Sequence, residues 1–95
     1  MIINNLMVKV KPGREPDIQT ARRKLLSMRG NVEVLLDVCV ETDIIRGETS
    51  YDFMLTTKFA NMNDFKVYID HPYHQEVAKY IVEMKEHGAS VCYEI

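Results

Sequence analysis

Ninety-five residues, 46% hydrophobic and 27% charged, suffice for one modest core and not for two, so a single domain over residues 1–95 is expected. A net charge of −2 removes a strongly basic or acidic binding module from consideration and selects no partner. Two distant cysteines, Cys39 and Cys92, make no disulfide framework or zinc cluster, and neither a leader nor an apolar run near the ~20 residues of a membrane span is present, so a reduced, cytoplasmic chain with no membrane contact is expected.

Ile2–Lys11 alternates. Ile2, Asn4, Leu6, Val8 and Val10 share one side and Ile3, Asn5, Met7, Lys9 and Lys11 the other, which predicts a strand ended by Pro12-Gly13. Pro16 opens a helix whose apolar stripe is Ile18, Ala21, Leu25 and Met28, closed by Arg29-Gly30. Val32, Val34, Leu36, Val38 and Val40 recur at period two and predict a second strand. A polar loop over residues 42–50 and a third strand, Tyr51 to Phe59, follow. Asn61 caps the next helix, with Asp64 three residues on and Phe65, Tyr68 and Ile69 as its stripe. Pro72 must break that helix, because an interior proline costs about 3 kcal/mol. Two pieces are therefore predicted, Asn61–Asp70 and Pro72–Glu86, the second carrying Val77, Ile81 and Met84. His87-Gly88 is the expected stop, with His87 as a partner of the helix dipole, and Ala89–Ile95 the last strand.

The order strand, helix, strand, strand, helix, strand is the split βαβ pattern. It predicts an α+β, ferredoxin-like βαββαβ fold, a four-stranded antiparallel sheet with its helices on one face. The other face is expected to gather Ile3, Met7, Leu35, Cys39, Met54 and Cys92 among Lys9, Asp37, Asp52, Lys58 and Glu94. That face is too apolar to be wetted throughout and too charged for a core, which points to a homodimer through the sheets.

Residues 1–30 hold seven Lys/Arg against two Asp/Glu, and residues 31–95 five against twelve. The run Arg22-Arg23-Lys24 has no interleaved aromatics and reads as a solvated helix face, so no nucleic acid is expected as a partner. The one chemical constellation is Tyr68 with His74. Six apart on a continuous helix they would diverge, but the break at Pro72 lets the second piece turn His74 back. A neutral imidazole in a first helical turn accepts a proton, and a nearby phenol donates to a developing oxyanion. The competing reading is a packed core tyrosine and a surface histidine. His71, His74 and Asp70 lack a further fixed ligand, so no metal is expected. No Gly-rich phosphate loop stands out, and no cofactor is expected.

Lys9-Val10-Lys11-Pro12-Gly13, Tyr51-Asp52-Phe53-Met54-Leu55 and above all Tyr68-Ile69-Asp70-His71-Pro72-Tyr73-His74-Gln75 resemble the stress-responsive A/B barrel (Dabb) domain family over nearly the whole chain. The resemblance implies a dimeric α/β barrel formed through the sheet faces. One member is a plant polyketide cyclase that closes a ring by cofactor-free aldol chemistry. Its catalytic tyrosine and second signature histidine match Tyr68 and His74 here. Members often carry a first-strand histidine where this chain has Asn4, so the pocket is altered. Antibiotic-biosynthesis-type monooxygenases and haem-degrading enzymes share the fold. The latter use an asparagine, a tryptophan and a helix histidine, of which Asn4 and His74 supply two and no tryptophan exists.

The expected site is thus a small apolar pocket walled by Leu6, Val8, Leu25, Phe53, Leu55 and Tyr68, with Asn4 and His74 as its polar points. It suits acid–base chemistry on a small apolar, phenolic or polyketide-like ligand. A non-catalytic, stress-related binding or scaffold module and a small oxygenase are the alternatives.

Overall fold

The computed structural model describes all 95 residues. In chain order the elements are β1 (Ile2–Val10), a 3-10 turn (Glu15–Asp17) leading into α1 (Ile18–Leu26), β2 (Asp37–Thr42), β3 (Phe53–Phe59), α2 (Met62–Asp70), α3 (Pro72–Met84) and β4 (Lys85–Glu94). All strand pairs are antiparallel, in the order β2-β3-β1-β4. Helices cover one face of the sheet, the ferredoxin-like arrangement.

Alternation decides which side chains enter the core. Val8, Val10, Val38, Val40, Phe53, Leu55 and Phe59 pack beneath Ala21, Leu25, Tyr68, Val77 and Ile81. The Asn61 side chain accepts the Asp64 N–H at 2.8 Å and starts α2. His71 is extended (φ −65°, ψ 131°), as a residue before proline must be, and its Nδ1 accepts the Tyr73 N–H at 3.1 Å to cap α3.

Several sequence expectations are corrected. The second strand starts at Asp37, not Val32. Gly30 adopts a positive φ (81°), and the Met28 carbonyl accepts both the Asn31 and Val32 N–H groups, so turns consume the next residues. That shifts the phase: Leu35 is buried and Leu36 is 52% exposed. Asp52 does not face outward from a strand. It precedes β3, is buried, and accepts the Val10 N–H at 2.7 Å, with Arg46 at 3.6 Å. On α2, Ile69 is 42% exposed and leaves the core to Phe65 and Tyr68.

The last correction concerns α3, which stops at Met84. His87 and Gly88 lie in β4, where His87 pairs with Lys9 and Gly88 with Val8, so neither caps a helix. Pairing along the length of β1 outweighs helix propensity there. Lys85 pairs with Val10 and His87 with Lys9, which leaves Glu86 as a bulge. The register also moves Cys92 and Glu94, opposite Asn4 and Ile2, to the helix-covered side of the sheet. Both stay exposed, because β4 is an edge strand with only Lys85 and Ala89 half-buried.

Candidate functional site

Proline at 72 builds the site by ending one helix and starting another. The last carbonyls of α2 have no N–H to accept from the helix itself. His74 stands in the first turn of α3, and its Nδ1 lies 3.2 Å from the Ile69 carbonyl oxygen. A carbonyl only accepts, so Nδ1 carries the proton of the neutral ring and Nε2 is left as a bare acceptor.

The same turn lays the imidazole on Tyr68. The two ring centroids are 4.1 Å apart with the planes inclined by 41°. Tyr68 is held from beneath by Phe59 (4.9 Å) and Phe65 (6.1 Å) and is 2% exposed. Burial pushes its phenol above the ordinary range, with no contribution from any neighbouring group, so it keeps its proton and acts as a donor. Burial also lowers the His74 pKa. The Ile69 carbonyl opposes that shift and the charge of His71 adds to it. At neutral pH the pair is a neutral imidazole and a protonated phenol.

A cavity of about 170 Å³ opens beside this pair, with Tyr68 and His74 in its wall. Asn4, Leu6, Leu25, Phe53 and Leu55 line it from β1, α1 and β3, so seven of the eight expected residues meet around one space. The exception is Val8, which is fully buried in the core and outside the lining. Residues 77, 78, 81 and 82 of α3, together with Ile69 and Lys85, complete the wall. The Ile69 carbonyl and Lys85 were missed by sequence reasoning. The first was foreshadowed by the helix break, and the second was hidden by a helix drawn two residues too long.

A larger and more open depression, about 630 Å³, lies between α1 and the start of α3. Its reactive groups are engaged with each other or with a cap: Ser27 Oγ and the Tyr73 hydroxyl are 2.7 Å apart, and His71 Nε2 is 3.2 Å from Glu33. The basic run on α1 is partnered locally, with Arg22 half-buried and Arg23 and Lys24 exposed. Arg22 Nε donates to the Val40 carbonyl, Arg23 bonds Thr20, and Lys24 sits 5.1 Å from the centroid of the Tyr80 ring. No group of three His, Cys, Asp or Glu side chains converges as metal ligands would. No helix is long and apolar enough to cross a membrane.

The Stress responsive A/B Barrel Domain family model matches residues 4–95. No curated protein matches the chain. Among solved structures it is similar to a dimeric protein of unknown function and ferredoxin-like fold from Bacteroides fragilis, with 24% identity over 99% of this chain and 95% of that one and a TM-score of 0.87. A Dabb family protein with a ferredoxin-like fold from Mesorhizobium loti shares 17% identity over 99% and 95% of the chains, TM-score 0.82. A hydroxynitrile lyase from Passiflora edulis shares 14% identity over 99% and 92%, TM-score 0.87. At these identities the structural likeness speaks for the fold.

Proposed function

The chain belongs to the stress responsive A/B barrel domain family, and from that premise we propose that it is a cytoplasmic homodimer whose subunits each carry out acid–base chemistry, by side chains alone, on a small phenolic or carbonyl compound. The observation that carries this reading is the Tyr68–His74 pair, 4.1 Å between ring centroids, in the wall of an apolar cavity.

In this reading His74 Nε2 takes a proton from the substrate, as a neutral acceptor held in one tautomer by the Ile69 carbonyl. The Tyr68 hydroxyl donates to the oxygen on which negative charge develops. In an apolar wall such a donor is worth more than in water. Asn4, half-buried on β1, is a further polar group of the lining and orients the ligand. A hydroxynitrile lyase on the same fold supports chemistry at a carbonyl carbon. The dimer is supported by the dimeric B. fragilis neighbour and by the exposed Met7, Met54, Val91 and Tyr93 on the helix-free face. The free thiols of Cys39 and Cys92 fit a reducing compartment.

The test is proton exchange. 1-Phenyl-1,3-butanedione is incubated in deuterated buffer with wild type, His74→Ala and Tyr68→Phe, and deuterium uptake at the central carbon is followed by NMR. The proposal expects catalysed uptake in wild type and a loss of about a hundredfold or more in either variant. Uptake at the buffer rate in all three would replace this reading with that of a non-catalytic binding module.

A further inference from the structure

Lys85 is the one charged side chain in a cavity wall that is otherwise apolar apart from Asn4, His74 and the Tyr68 hydroxyl. It is half-buried, directly after the last residue of α3, at the opposite end of that helix from His74. Eleven residues at about 1.5 Å each separate the two positions by roughly 16 Å of helix axis, a gap the two side chains shorten from both ends.

Its ammonium makes no ion pair. Of the nearest acids in sequence, Glu83 meets Arg14 at 3.4 Å, and Glu86, on the bulge, lines a separate cleft with Lys9, Arg46 and Asp52. A half-buried cation with no counter-charge is costly, and an anionic ligand removes that cost.

Gly88 gives an independent reason to see Lys85 as placed. Its φ is not positive, so the backbone has no need of glycine there, and glycine weakens a strand interior. It lies opposite Val8, on the helix-covered side of β4. A Cβ on Gly88 would come 3.1 Å from Lys85 Cδ and 3.5 Å from Nζ. The missing side chain is the room in which the lysine lies.

We infer that Lys85 is the anion anchor of the Tyr68–His74 cavity, which makes the preferred ligand a single-ring aromatic compound with a short tail ending in a carboxylate. The inference rests on the proposed site and specifies its substrate class. The volume accommodates the ring, because a cavity of about 150 Å³ holds one benzene and this one measures about 170 Å³, and the tail runs beyond it along the wall. The ring lies against Tyr68 and His74, and the carboxylate lies at the far end against Lys85, away from the reacting atoms.

Calorimetric titration of the full chain at pH 7.5 with 3-(4-hydroxyphenyl)propanoate and its isosteric amide tests this. Wild type should bind the acid about tenfold tighter than the amide. Lys85→Met and Lys85→Gln should bind the two equally, with the amide affinity within about twofold of wild type, which also certifies that the variants are folded. Gly88→Val should reduce the acid's advantage by displacing the lysine. An acid preference absent from wild type, or surviving in both lysine variants, overturns the assignment. His74→Ala separates the two levels. If it abolishes binding of both compounds while the lysine variants keep the wild-type preference for the acid, the cavity stands and the anchor falls. If the acid preference needs Lys85 while wild type catalyses no proton exchange on the diketone, the anchor stands and the acid–base reading falls. Failure of both compounds to bind wild type removes both.

Discussion

The Ile69 carbonyl oxygen stands 3.2 Å from His74 Nδ1, and this contact exists because α2 stops one residue later and leaves that oxygen without a helical donor. The bond sets which nitrogen of His74 is bare. Long-range proton–nitrogen NMR at pH 7.5 should therefore show the Nδ1-protonated tautomer. An Nε2-protonated ring would remove the acceptor that the proposed base requires.

A lowered His74 pKa makes a signed prediction about stability. The unfolded chain titrates this histidine near 6.5 and the folded chain below that, because burial disfavours the imidazolium. Below about pH 6.5 the unfolded state binds the proton more readily, so the folded state loses stability as pH falls and the loss levels off once pH is below the folded pKa. Melting temperatures of wild type and His74→Gln should differ by a constant amount above pH 7. Between about pH 6.5 and 5 the difference should move in the mutant's favour. A pH-independent difference over that range would show that His74 is not buried enough to matter.

Tyr68 separates packing from chemistry. Its ring belongs to the cluster with Phe59 and Phe65, so Tyr68→Phe keeps the contacts and should change stability in urea by less than about 1 kcal/mol, while Tyr68→Ala should cost about 3–5 kcal/mol. The Phe variant should stay folded and still lose the catalysed exchange. Large destabilisation by Tyr68→Phe would mean that the hydroxyl is a structural group.

How much of this was legible in sequence depends on how local each cause is. The break at Pro72, the extended His71 and the Asn61 cap were readable because proline geometry and cap bonds act within three residues. Asn4, Leu6, Phe53 and Leu55 followed from alternation on β1 and β3, Leu25 and Tyr68 from the helical stripes, and His74 from the break at Pro72. The start of β2 was misread because the turns after Gly30 interrupt a run of valines and leucines that alternates perfectly on paper. The start of β4 was misread because its register against β1, at the other end of the chain, outweighs a local pattern that favours helix through Glu86. Lys85 was lost with it, and with Lys85 the only cation of the cavity.

Thr57 is a core residue with an unmet hydrogen bond. It points to the helix-covered side between Val38 and Asn4, is fully buried, and its Oγ1 has no partner. Thr57→Val keeps the shape and removes the orphaned group, so it should raise stability by about 1 kcal/mol, or roughly 4–8 °C in melting temperature for a chain of this size. A lower melting temperature would show that the hydroxyl is bonded to a buried water.

The helix-free face tests the dimer. Cross-strand pairing puts Met54, Met7 and Ala89 in one row, Thr56, Asn5 and Val91 in the next, and Lys58, Ile3 and Tyr93 in a third. Val91 is 63% and Tyr93 46% exposed, both on the edge strand β4, which has one side unpaired. Burying such a face against a second copy stabilises the folded chain by roughly 25 cal/mol per Å² of apolar area removed from water, and the Asp37–Lys58 rim sets the register between charges. Light scattering should give wild type twice the 11.1 kDa chain mass, with a melting temperature that rises with concentration. Val91→Asp places a carboxylate on the face that the dimer buries, where desolvation costs several kcal/mol. It should give a species of one chain mass with a concentration-independent, lower melting temperature. Wild type and Val91→Asp both at one chain mass would leave the face solvated and the dimer refuted. Both at twice that mass would move the interface to another surface of the fold.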